Sequence, residues 1–232
     1  MRLDISFDFR CDSAGKDPDI FSPTLRQYHQ NLWSKKLPCG LNFQLDYAPN
    51  AYLHHSSDLG NFTLTSDSAV PTYTRWKSMQ HIVGCFSEEE NERFRSLSYT
   101  IGGMIIFPGN RVHGKQTING ARGFNRQIAD RLDLTLECIR LFYIGENNPL
   151  METLLRYKNF FDLFNDFRGY VEFFLLHDLV QDGYKNIKFF LPFDNFSLPS
   201  VPQNIDNYIE YKNKSIDFVI ARNNRIHSLV NY

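Results

Sequence analysis

Residues 125–144 place apolar side chains at 128, 132, 136, 139 and 143, a spacing that follows the turn of an α-helix and demands a core to face. The opposite side of that stretch carries Asp130, Asp133, Glu137 and Arg140, which read as a solvated ladder of charges. Residues 149–164 and 166–182 continue as helical patterns rich in Leu and Phe, and a last helix is expected over roughly 205–230. Phe160, Phe161, Phe164, Phe167, Phe173 and Phe174 recur at helical spacing, so they are expected in the core.

The first half reads differently. Leu3 to Phe9 alternates apolar and polar residues with period two, which predicts a half-buried strand. Ser22-Pro23-Thr24 opens a helix to about Lys36, with Ser as N-cap and Pro at the first helical position. Segments 41–47, 51–54 and 61–65 are short and β-prone, separated by turns at Pro49-Asn50 and Asp58-Leu59-Gly60. Residues 74–85 predict a helix, Ser87 with Glu90 predicts a capping box, and 101–107 predicts a buried strand. No repeat or linker divides the chain. The expectation is one α+β domain over residues 1–232, with short strands mainly in 1–110 and a largely helical second half.

No apolar run approaches the ~20 residues of a membrane helix, so no membrane partner is expected. Cys11, Cys39, Cys85 and Cys138 lie too far apart for zinc-knuckle spacing, and without a signal-peptide pattern they read as reduced thiols of a cytoplasmic protein. The seven histidines are scattered, with only His54 and His55 adjacent. No metal ligand set and no cofactor is assigned.

Several blocks have a family look: Phe7-Asp8-Phe9-Arg10, Gly15-Lys16-Asp17-Pro18-Asp19, Leu32-Trp33-Ser34-Lys35, Thr117 to Gly123, Asp133 to Arg140, and Asp166-Phe167-Arg168-Gly169-Tyr170. Together they resemble a bacterial family known only as a domain of unknown function, over nearly the whole chain. The resemblance implies no activity and no catalytic residue.

Charge is distributed unevenly. The formal net charge is −1, yet no acidic residue falls between Glu92 and Asp130. That interval holds Arg93, Arg95, Arg111, Lys115, Arg122 and Arg126, and six of the 13 glycines. Glycine lets backbone N–H groups approach a ligand, and a following helix N-terminus favours an anion. Arginine forks match phosphate oxygens. The interval therefore predicts a phosphate-binding Gly-rich loop formed by Arg111, His113, Lys115, Asn119, Arg122 and Arg126, with a nucleic acid or nucleotide as partner. The competing reading is that the glycines make turns and that Arg122 and Arg126 pair with distant carboxylates such as Glu88 to Glu90. Gly114-Lys115 is followed by Gln116 rather than Ser or Thr, so the phosphate loop of nucleotide hydrolases is excluded.

A second candidate is Arg222-Asn223-Asn224-Arg225-Ile226-His227, which resembles the signature of the helical HEPN ribonucleases. The resemblance implies metal-independent RNA cleavage, with Arg222 steadying phosphate charge, Asn223 between, and His227 in acid–base chemistry. Two weaker elements are Arg75-Trp76-Lys77, a flat aromatic between cations that suits base stacking, and Ser66-Asp67-Ser68, which lacks the glycines of a nucleophile elbow. A third class of function is a non-enzymatic domain whose basic surface meets an acidic partner protein.

Overall fold

The computed structural model describes residues 3–49, 51–58 and 60–230, so the turns expected at Pro49-Asn50 and Asp58-Leu59-Gly60 fall partly outside the described residues. The fold is a mixed α+β arrangement. In chain order the helices are α1 (Pro18–Phe21), α2 (Pro23–Trp33), α3 (Gln80–Val83), α4 (Glu88–Ser98), α5 (Ile118–Phe124), α6 (Leu132–Tyr143), α7 (Met151–Arg156), α8 (Lys158–Asp162), α9 (Phe167–Phe173) and α10 (Ile205–Val230). The strands are β1 (Lys35–Lys36), β2 (Asn42–Phe43), β3 (Leu53–Ser57), β4 (Gly60–Ser68), β5 (Met104–Pro108), β6 (Val180–Gln181) and β7 (Asn186–Ile187). Strands β3, β4 and β5 form an antiparallel sheet in that order, while β1–β2 and β6–β7 are two-stranded ribbons.

Local chemistry sets several of these boundaries. Ser22 Oγ accepts from Leu25 N at 3.0 Å, and Pro23 starts α2 where its missing N–H costs nothing. Ser87 and Glu90 close the capping box of α4. Phe62 and Leu64 alternate inward along β4, where α8 packs, and α5 covers β5. The six phenylalanines expected in the core are all buried, and Phe164, Tyr170, Phe173 and Phe174 pack tilted or edge-on, with centroids 4.9 to 5.4 Å apart.

Several expectations give way, among them the helix expected over 149–164, which forms as the separate α7 and α8, and that expected over 166–182, of which only α9 forms. No strand forms over residues 3–9. Asp4 accepts from Ser6 N and Asp8 from Arg10 N, each at 2.9 Å, so the period-two pattern is consumed by successive Asx turns. The helix expected over 74–85 is a 3₁₀ turn at 77–79 followed by the single turn of α3. The helix expected over 125–144 starts only at Leu132, and Thr117 instead caps a separate helix, α5, inside the interval read as a loop. Finally, α6 is buried almost all round. Asp133 is not on a solvated ladder: it is fully buried, held by the Arg131 guanidinium and by Phe190 N at 2.9 Å.

α10 runs as one helix across the molecule and packs on α3, α4 and the 3₁₀ turn at 101–103. Gly102 permits that approach, because a Cβ there would stand 2.6 Å from Val219 O. Arg222, fully buried, seals the junction. It donates to Gly102 O at 3.0 Å, Met104 O at 2.6 Å, and Phe174 O at 3.0 and 3.3 Å. Asn223 completes it, accepting from Gly102 N at 2.7 Å and donating to Thr100 Oγ1 at 2.9 Å. Arg222→Met keeps the volume but strands three buried carbonyls, and each unpaired group costs ~1–3 kcal/mol. Urea denaturation is expected to show a loss of at least ~3 kcal/mol. An unchanged midpoint contradicts this account of the junction.

Candidate functional site

The six cations of the acid-free interval do not converge. Arg93 pairs with Glu89 and Arg95 with Glu92 and, more loosely, Glu88, along the exposed side of α4. Arg111, His113 and Lys115 are exposed on the 109–117 loop, and Arg126 is exposed elsewhere. Asn119 turns inward, donating to Thr65 Oγ1 at 3.2 Å. Arg122 is buried. The predicted cluster of Arg111, His113, Lys115, Asn119, Arg122 and Arg126 therefore splits, because α5 winds residues 118–124 against β5 instead of looping them around a ligand.

The ribonuclease reading meets a similar obstacle. Arg222 and Asn223 face the core with their donors engaged by Gly102, Met104, Phe174 and Thr100. His227 lies on the exposed part of α10 beside a groove with Leu3, Asp4, Ile5 and Asn224. Arg222 is out of reach of any RNA phosphate that His227 touches. A concavity of about 730 Å³ lies between α10 and residues 187–193. Phe190, Leu191, Pro192, Phe193 and Phe218 give it an apolar lining.

The strongest chemistry gathers around Arg122. Its Nε donates to Thr135 Oγ1 at 3.2 Å and its Nη2 to Ser68 O at 3.2 Å and to Asp130 O. Its Nη1 makes no hydrogen bond but lies 3.4 Å from Asp67 Oδ2 and 3.5 Å from Asp130 Oδ1. Two carboxylates from distant parts of the chain thus share one guanidinium nitrogen. Asp67 comes from the end of β4. Asp130 comes from a turn in which Ala129 and Asp130 hold left-handed φ values of 49° and 64°. Such backbone in non-glycine residues is strained and is found where a side chain must be aimed.

Burial pushes the Asp130 carboxyl up to about 7, with Arg122 pulling it down and Asp67 pushing it further up. Burial also raises Asp67, against the pull of Arg122. Asp19, on α1, completes the group. It binds Ser66 N at 2.7 Å and the Ser66 hydroxyl, and burial lifts its pKa to about 7 against those bonds. Asp67 and Asp130 open into a cleft of about 160 Å³. Arg75, Trp76, Arg95 and Tyr99 form its mouth, with Ser68, Thr72, Thr74 and Ser98 between. Tyr73, on its wall, is again left-handed, with φ 58°. Perturbed acids, strained backbone and mixed charge meet in this one cleft, which makes it the candidate site.

The match to known proteins covers residues 3–226 and is to a single family model. The chain belongs to the DUF6994 family, a family of unknown function. No curated protein and no solved structure matches it. Among the described residues, no helix is long and apolar enough to cross a membrane, and no group of three or more His, Cys, Asp or Glu side chains is placed to hold a metal ion.

For this DUF6994 member the sequence reading missed Asp19, Asp67 and Asp130. In the sequence Asp130 belongs to the polar side of the expected 125–144 helix and bounds the acid-free interval, and Asp67 stands between two serines without the glycines of an elbow. Of Arg75-Trp76-Lys77, Arg75 and Trp76 line the cleft.

The raised Asp19 pKa has a consequence for stability. Its folded pKa of about 7 exceeds the ordinary 3.8, so the folded state binds this proton more tightly. The associated stability is complete below 3.8 and is lost as pH rises through about 7. Asp19→Asn retains both Ser66 contacts without the charge. Thermal melts of wild type and variant are expected to show the variant gaining relative stability from pH 4 to pH 8. A difference independent of pH contradicts the shift.

Proposed function

We infer that the Asp67–Asp130 cleft binds a small hydroxyl-bearing ligand that carries a phosphate group, a class that includes nucleotides and sugar phosphates. The support is a division of chemistry between mouth and floor. Arg75 is exposed and makes no ion pair among the described residues, while the buried Arg95 Nε has no hydrogen-bond partner. Arg75 offers its guanidinium donors to phosphate oxygens, and Arg95, paired with Glu92, adds a second cation to the lining. Trp76 and Tyr99 supply flat faces for a base or sugar ring. The hydroxyls of Ser68, Thr72, Thr74 and Ser98, with the floor carboxylates, suit ligand hydroxyls. A cleft of about 160 Å³ encloses one ring and its substituents, too little for a nucleic-acid strand.

The observation that carries this reading is Asp130 itself. Burial beside Arg122 lifts its pKa towards neutrality, so from its place in the cleft it can give a proton to, or take one from, a ligand oxygen. Such a group suits acid–base chemistry on the bound molecule. The phosphate reading thus moves from the 111–126 residues to Arg75 and Arg95, the latter already a member of the acid-free interval.

Calorimetric titration with nucleoside monophosphates and sugar phosphates tests it. Arg75→Ala is expected to weaken binding about tenfold, the equivalent of one lost charge-assisted contact. Wild-type affinity is expected to change across pH 6 to 8, and Asp130→Asn to flatten that profile. If no member of the panel binds, or Arg75→Ala binds as wild type does, the reading fails.

A further inference from the structure

At the other end of β4, away from the Asp67–Asp130 cleft, a groove of about 470 Å³ runs between Asn61, the 109–117 loop and the α7–α8 junction. Asn61, Asn110 and Asn159 line it with amides, and Arg156 and Lys158 with charge, over an apolar floor that includes Phe62. Tyr157 pins the loop by donating to Asn110 O at 2.8 Å. Arg156 pins it again, donating to Gln116 O at 3.0 Å.

The charge here is unbalanced. Arg156 donates only to backbone oxygens and to the Thr153 hydroxyl, meets no carboxylate among the described residues, and keeps a buried Nε with no hydrogen-bond partner. Asp162, the sole carboxylate lining the groove, is neutralised by Lys158 at 2.6 and 2.7 Å. The adjoining loop adds Arg111 and Lys115, exposed and without ion pairs among the described residues, and the exposed His113. Arg156 in the lining and Arg111 and Lys115 on the adjoining loop carry uncompensated charge, and the three lining amides add N–H donors. That complement matches an oxyanion rather than a hydroxyl or a cation.

We propose that this groove is a second, separate binding site for the oxyanion of a phosphate or sulfate ester. It does not depend on the Asp67–Asp130 cleft, and the loop singled out in the sequence acts here with Arg156 as its opposite wall. Phosphate and sulfate esters share the chemistry that the groove reads.

The test is a ¹H–¹⁵N NMR titration of the full chain with inorganic phosphate and, separately, inorganic sulfate. The side-chain amides of Asn61, Asn110 and Asn159 and the Arg156 Nε–H signal are expected to shift saturably. Glucose 6-phosphate and glucose 6-sulfate then separate the two ester sources. Arg156→Ala is expected to weaken binding at least about tenfold. Because Arg156 also braces the loop, the paired change Arg111→Ala with Lys115→Ala, confined to exposed side chains, is expected to weaken it about as much. Arg75→Ala is expected to leave these shifts unchanged, which separates this site from the cleft. Absence of saturable shifts with both anions, or wild-type affinity in the Arg111/Lys115 double variant, overturns the proposal.

Discussion

Buried guanidinium groups satisfy the backbone of a fold built from short elements. Strands of two to nine residues and helices of four to twelve, α10 apart, leave many carbonyls inside the molecule without a ladder or helix partner. Arg222 gathers the carbonyls of Gly102, Met104 and Phe174, and Arg131 takes Ser200 O. Arg122 takes Ser68 O and Asp130 O. Arginine suits the task because one rigid fork offers five donors at once. The cost is a charge withdrawn from water, met differently at each site. Arg131 is neutralised by buried Asp133, whereas Arg222 has no ion pair among the described residues, and burial lowers its pKa to about 10.

Arg122 differs because its two counter-ions face a cleft. One side chain thereby links the interior to the place where a ligand can act. It holds the end of β4 and the left-handed turn at 129–130 against each other, and these carry Asp67 and Asp130. Burial raises both acids, against the pull of the Arg122 guanidinium between them. Packing therefore shifts the site's protonation, since the same burial that raises Asp67 moves Asp130 away from the range of a solvated carboxyl. Asp19, tied to Ser66 beside Asp67, extends the acidic group to α1.

Much of this protein was legible in the chain because it depends on neighbours a few residues away. Ser22 and Ser87 cap their helices through N–H groups three positions on, and α10 and the six buried phenylalanines follow from helical spacing. The α+β class and the family likeness were read from such local blocks. Other features belonged to space alone. Alternation over residues 3–9 could not reveal that Asp4 and Asp8 would bond their own backbone, and the charges at 133 and 137 looked solvated until other segments enclosed α6. The acid-free interval was real as a pattern, but its meaning lay in partners outside it. Arg122 met Asp67 and Asp130, Arg95 met Glu92, and Arg111 and Lys115 were left exposed beside Arg156. A linear chain specifies which charges exist and which segments coil. Only folding decides which charges leave water and which meet, because desolvation and ion pairing depend on distances between residues far apart in the chain.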